Sequence, residues 1–188
     1  MNRILNNQTS SSKFYIPLTF IALICTLMLN FYIKISDCSL VFTFLAISLN
    51  VIGELYGNDK AMRSLVLSIF VSLASQWNLK YYIHGELING LVIASFISVL
   101  VSAFIGLNVL SKLRFKYNFY VRSLLSLITY AIVDGAVMGV FFANKYYINK
   151  VVHIFAQEVA YKSFYGFIAC ASMLMISYLQ KQFKIVKV

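Results

Sequence analysis

The stretch Leu40-Val-Phe-Thr-Phe-Leu-Ala-Ile-Ser-Leu-Asn-Val-Ile-Gly-Glu-Leu-Tyr56, closed by Gly57-Asn-Asp-Lys60, decides the fold. It approaches the run of about 20 mainly apolar residues that carries a helix across a bilayer. Yet Thr43, Ala46, Asn50, Gly53, Glu54 and Gly57 recur along it at spacings of three and four, which places them on one helical face. An ionised side chain at the bilayer centre costs about 2.5 to 3.5 kcal/mol even on insertion-based scales. A membrane span with such a stripe must therefore turn it towards other helices, and Glu54 needs a partner or a purpose.

Outward from this span, residues 14–31, 61–77, 87–110, 120–143 and 151–180 read as further apolar stretches of spanning length. The chain has 188 residues, 61% hydrophobic and 12% charged, with Pro17 as its single proline, far more apolar than a soluble domain. The expected fold is an all-α integral membrane protein, a compact bundle of six transmembrane helices with short connections. Nothing is left over for a soluble catalytic or nucleotide-binding domain, so the work is done inside the membrane or through a partner. Residues 1–13 are polar and read as a tail before a true span, because the apolar run after them is too long for the core of a cleavable signal. Residues 181–188 form a basic tail.

The net charge of +10 would point to nucleic acid in a soluble protein. Here the basic residues lie between spans, and their distribution reports topology instead. In the six-span arrangement Arg3, Lys13, Lys60, Arg63, Lys112, Arg114, Lys116, Lys181, Lys184 and Lys187 share one side, against Lys34, Lys80, Lys145 and Lys150 on the other. Cytoplasmic loops carry the excess of Lys and Arg, which puts both termini in the cytoplasm. Tyr81-Tyr82, Phe119-Tyr120 and Tyr146-Tyr147 near span ends suit an aromatic belt. The abundance of Ile, Lys, Asn, Phe and Tyr fits an AT-rich bacterial genome, hence a bacterial plasma (inner) membrane. Lipid is the expected surroundings, and no nucleic acid is expected as a partner.

Polar stripes recur elsewhere. The third stretch carries Ser64, Ser68, Ser72 and Ser75, and the fifth carries Ser123, Ser126, Tyr130 and Asp134. Gly135-Ala-Val-Met-Gly139 is a GxxxG match, and small residues of this kind favour close helix packing in membranes. Cys25, Cys38 and Cys170 are scattered, and neither His84 nor His153 has a spaced partner, so neither metal nor cofactor is expected. The loop Asn78 to Glu86 is the one connection mixing aromatic and charged residues.

Asp134 lies deep in its span, with Tyr120 and Ala143 marking the two ends. It can hydrogen-bond a Ser, Asn or Tyr of another helix, hold a ligand, or carry a proton. Glu158 and Lys162 stand four apart in the favourable order for a helix-internal ion pair, which is either structural or able to open onto a polar ligand. Arg63 and Arg122 lie close to the cytoplasmic interface, where they snorkel to head groups or gate the interior. No Gly-x-Ser-Gly context with a histidine on another span occurs, Asp134 is the sole intramembrane aspartate, and no glycine loop cradles phosphate, so no enzymatic activity is expected.

Glu54-Leu-Tyr-Gly57 with Ala61 and Arg63 following, Arg122 and Asp134 across a Ser-rich fifth span, and Tyr161-Lys162 in the sixth together resemble the VUT family of queuosine-precursor transporters. The matches run from Asn50 to Lys162 and cover most of the chain. The resemblance implies uptake of a 7-deazaguanine, as the cyano or aminomethyl precursor or as queuine, for tRNA modification. It casts Asp134, Glu54, Asn50, Tyr130, Glu158, Tyr161 and Lys162 as substrate-binding residues, and Arg63, Arg122 and Gly57 as gating or structural ones. Tyr130, Tyr161 or Tyr165 would stack on the base. The chain departs from the family at Asn50, where an aspartate is frequent, and after Lys162, where no proline follows. Two further roles stay open: a substrate-binding membrane subunit of a separate energising complex, and a membrane scaffold whose stripes only join helices. A second copy of the chain or an energising subunit is the expected protein partner.

Overall fold

A computed structural model describes the backbone of residues 2–32, 34–76, 82–83, 86–87 and 90–185, with side chains over 14–32, 34–76 and 90–178. Six helices follow in order: α1 (Asn2–Leu29), α2 (Ile35–Tyr56), α3 (Asn58–Gln76), α4 (Leu91–Lys112), α5 (Phe119–Ala143) and α6 (Ile148–Ile185). The loop expected over residues 78–86 lies outside the described residues except for an antiparallel pair of two-residue strands, β1 (Tyr82–Ile83) with β2 (Glu86–Leu87). The tails 1–13 and 181–188 lie outside the described side chains.

Local chemistry sets the helix boundaries. Lys34 is extended ahead of α2, and Asp37 in the first turn meets the positive end of the helix dipole. Gly57 ends α2 at φ 93°, a conformation open to glycine without steric cost, and its N–H donates to Gly53 O at 3.1 Å. Asn58 then opens α3, and its side chain donates to Leu107 O at 3.0 Å, fastening the α2–α3 corner to α4.

α2 packs against every other helix and forms the centre of the bundle. Its Leu45, Ala46, Leu49 and Ile52 are buried together with Leu107 and Leu110 of α4 and Leu127 of α5. Close approach relies on small residues: a Cβ on Gly135 would meet the Phe155 ring and Val159 at 3.0 to 3.3 Å, and one on Gly139 would touch Val151. The GxxxG face therefore receives α6.

Where the sequence gives six spans of equal standing, four helices among the described residues are long and apolar enough to cross a membrane: α2, α4, α5, and α6 over Ile148–Tyr178. The apolar part of α1, Phe14–Leu29, is shorter. α3 is less apolar for a structural reason, since its serine stripe is turned onto α1. Ser64 lies 2.9 Å from Tyr15 Oη and 3.1 Å from Thr19 Oγ1, Ser72 donates to Thr26 at 3.0 Å, and Asn30 donates to Gln76 at 3.0 Å. Numbers rise together along both helices, so α1 and α3 run parallel. Ser64, Ser68, Ser72 and Gln76 are at most 2% exposed, whereas Val66, Leu67 and Phe70 are 52 to 73% exposed. Polar inside and apolar outside is the arrangement a lipid surrounding rewards and water penalises.

Candidate functional site

A cavity of about 560 Å³ enters the bundle at the end where α1 meets α2 and α5 meets α6. That volume lies within the range of small-molecule sites. Two of its walls are single helical stripes: Asp134, Met138, Phe142 and, just beyond α5, Tyr146 on one side, and Lys150, Ile154, Glu158 and Lys162 of α6 on the other. Spacing by four keeps each set on one face. The end of α1 and the turn after it, Ile35, Cys38 and Phe42 of α2, and Leu91 and Ser95 of α4 complete the lining. At 1.5 Å per residue, Lys162 lies about 18 Å along α6 from Lys150 at the mouth, over half the thickness of a hydrocarbon core of about 30 Å.

Charge is concentrated at the bottom. The Lys162 ammonium donates to both Asp134 Oδ2 and Glu158 Oε1, so one cation serves two carboxylates. Its third face looks onto the Phe42 ring, 4.2 Å from the centroid, a cation–π contact. Asp134 is fixed from a further helix, since Ser98 Oγ of α4 lies 2.5 Å from Oδ1 and 2.9 Å from the Asp134 carbonyl oxygen. Lys162 and Asp134 are buried, and Glu158 is the more open of the two carboxylates, 18% exposed. The favourable i,i+4 spacing thus forms its ion pair, and Asp134 joins the same ammonium.

A second polar cluster occupies the α2–α5 seam further from the cavity. Arg122 donates to Glu54 at 2.5 Å and lies over the Phe119 ring at 5.5 Å. One turn along, Asn50 donates to Ser123 Oγ at 3.1 Å and lies 3.2 Å from Ser126 Oγ, which is itself 2.8 Å from Gly106 O. Partners climb on α2 as they fall on α5, Asn50 with Ser126 and Glu54 with Arg122, so the two helices are antiparallel. Phe42 and Asp134 mark the cavity end of this seam, Glu54 and Arg122 the other, about 18 Å apart.

Tyr130 fills the layer between. It stands one turn from Asp134 and one from Ser126 and is 1% exposed. Its ring packs on Gly106, where an added Cβ would stand 2.9 Å from Cγ, and meets Phe42 edge to face at 6.4 Å. Its hydroxyl and Arg122 Nε are buried side-chain groups with no hydrogen-bond partner among the described residues.

The expected site residues therefore separate. Asp134, Glu158 and Lys162 line the cavity; Glu54 and Asn50 belong to the inner cluster, and Tyr130 to the layer dividing them. Tyr161 is 41% exposed and stacks on Tyr165 at 6.4 Å, on a part of α6 that does not line the cavity. Arg63 is exposed, Arg122 is tied down by Glu54 rather than reaching outward, and Gly57 acts through its backbone at the α2–α3 corner. Ser98 and Phe42 are the partners missed from sequence. Ser95, Ser98, Ser102 and Gly106 form a small-residue stripe on α4, and this signal would have found Ser98. A lone phenylalanine among apolar neighbours carries no comparable mark.

Among the described residues no group of His, Cys, Asp and Glu is arranged to hold a metal ion. Compared with protein-family models, with curated proteins and with solved structures, the chain matches none.

Proposed function

We propose that the protein is a multi-pass membrane transporter that takes up a queuosine precursor of the 7-deazaguanine type across a bacterial inner membrane. One observation carries this reading: the apolar-walled cavity reaches deep along the bundle and ends on the ionisable groups Asp134, Glu158 and Lys162. Charges at such depth are costly even when paired, and they mark substrate or ion sites by default. A guanine-like base presents adjacent N–H donors, which one carboxylate can accept together, and a carbonyl oxygen that an ammonium can meet. Phe42, Phe142 and Tyr146 offer ring faces to the base.

The positive-inside distribution orients the molecule. Lys60, Arg63, Lys112, Arg114 and Lys116 lie at the α2–α3 and α4–α5 connections, away from the cavity mouth. The cavity then opens outward, and Tyr130 on Gly106 with the Glu54–Arg122 pair closes the cytoplasmic side. Transport proceeds by alternating access around the central site, opening that inner side as the outer mouth closes.

The test is genetic. In a strain unable to make the precursor, expression of this protein restores queuosine in tRNA when the cyano, aminomethyl or free-base form is supplied outside. Absence of rescue by all three, with the protein present in the membrane, overturns the substrate assignment. Rescue that survives Asp134→Asn and Lys162→Met together shows that this triad does not hold the substrate.

A further inference from the structure

Formal charge does not balance at the bottom of the cavity. Asp134 and Glu158 each bring a negative charge, both turned on one ammonium, so the fully ionised triad carries a net charge of −1. Among the described residues the neighbouring elements do not cancel it. α1 and its following turn offer the neutral Tyr32, α2 the thiol of Cys38, α4 only Ser95, and α5 with its following turn the phenol of Tyr146. Asp37, at the start of α2, adds to the negative side and accepts a hydrogen bond from Ser36 at 3.0 Å. Lys150 is the one further cation in the lining among the described residues, but it stands exposed at the mouth over the Tyr146 ring at 4.4 Å, where water screens it.

We propose that the Asp134–Glu158–Lys162 triad holds one exchangeable positive charge, a proton in the empty cavity, which is displaced by the protonated amine of an incoming ligand. An uncompensated charge in a low-dielectric interior is the costly state; protonation of one carboxyl or arrival of a monocation each removes it. Glu158, the more exposed carboxylate, faces the cavity and is where the exchange takes place. The balance is simple: the carboxyl O–H breaks, its proton passes to cavity water, and the carboxylate accepts N–H hydrogen bonds from R–NH3+. A neutral ligand leaves the proton in place. The substrate assignment above is thereby deepened, because the aminomethyl precursor is a cation and the cyano precursor is neutral, and the exchange rests on this cavity being the ligand site.

The experiment uses the full-length protein in lipid nanodiscs at neutral pH. Infrared difference spectroscopy should show the carbonyl band of one protonated carboxylic acid in the empty protein, lost in Glu158→Gln and in Asp134→Asn, each of which leaves a balanced pair. Binding of 7-aminomethyl-7-deazaguanine should abolish the band and release one proton to an indicator dye, while 7-cyano-7-deazaguanine should do neither. Glu158→Gln should weaken the amine at least tenfold more than it weakens the cyano form. If no deazaguanine binds, benzylammonium against benzyl alcohol makes the same comparison, so failure of the substrate assignment is separable from failure of the exchange. A wild type without the acid band, a band that persists in both variants, or a band untouched by every bound ammonium overturns the proposal.

Discussion

The two charged clusters along the α2–α5 seam are built from the same kinds of groups and solve opposite problems. At the inner cluster one arginine meets one carboxylate, with Asn50 bonded among serines, so charges balance and the principal polar contacts stay within the protein. At the cavity, one ammonium meets two carboxylates beside open volume, and the balance is left incomplete. A balanced pair is what a structural lock requires, and an unbalanced one at the bottom of a cavity is what a changing occupant requires. The difference teaches that intramembrane charge in this chain divides by stoichiometry and setting, not by residue type.

The largest effect expected on breaking this contrast is at Asp134. Asp134→Ala leaves Glu158 and Lys162 as a balanced pair but takes a partner from the buried ammonium and from Ser98; at about 1.5 to 3 kcal/mol for a hydrogen bond to a charged group, about 3 kcal/mol is expected, read as lowered thermal stability in detergent. Uptake should be lost. The contrast sharpens with charge swaps. Glu54→Arg with Arg122→Glu should recover both stability and uptake, after single variants that each cost about 1.5 to 3 kcal/mol, the value of hydrogen bonds to charged groups. Asp134→Lys with Lys162→Asp should recover stability at most. A swapped triad that still transports would show the two clusters to be equivalent and end the distinction.

Between the clusters, Gly106→Ala tests the dividing layer. The new Cβ would fall within 3 Å of Tyr130 ring atoms, and the ring has Phe42 on another side, so it must shift. Overpacking of this kind costs about 1 to 3 kcal/mol. If the ring separates the two sides, cysteine accessibility at Ser126→Cys from the cavity side should rise in Gly106→Ala. Loss of stability with unchanged accessibility would make Tyr130 mere packing.

The helical fold was legible in the periodicity of Leu40 to Tyr56 and its counterparts because apolar runs broken by three-and-four spacing have one structural solution in a membrane. α3 was legible as a polar-striped helix, but its partner was not: the facing stripe of Tyr15, Thr19 and Thr26 on α1 is sparse and has meaning once the two helices are laid parallel. At the site, Glu158 and Lys162 could be paired from sequence since both lie on one helix. The arrival of Asp134 at the same ammonium is a tertiary fact, as is the diversion of Glu54 to Arg122. Tyr161 lies apart from this cavity because adjacency to Lys162 in sequence places it about 100° away around the helix.

The smallest effects give the sharpest comparison, because two serines have the same chemistry in different settings. Ser98 supports Asp134 from α4, and Ser126 bridges Asn50 and Gly106. Hydrogen bonds between membrane helices average about 0.6 kcal/mol, so Ser98→Ala and Ser126→Ala should lower stability equally and slightly. Function should tell them apart. Asn50 keeps Ser123 when Ser126 is lost, and nothing in the cavity moves, so uptake is expected at the wild-type KM. Asp134 loses its Oδ1 donor when Ser98 is lost and is held by Lys162 alone, free to turn away from a ligand. A rise in KM of about threefold, the equivalent of that same 0.6 kcal/mol, is expected for Ser98→Ala. Equal KM values for the two variants, at equal stability, would mean that Asp134 needs no orientation from α4 and that the cavity cluster is positioned by α6 alone.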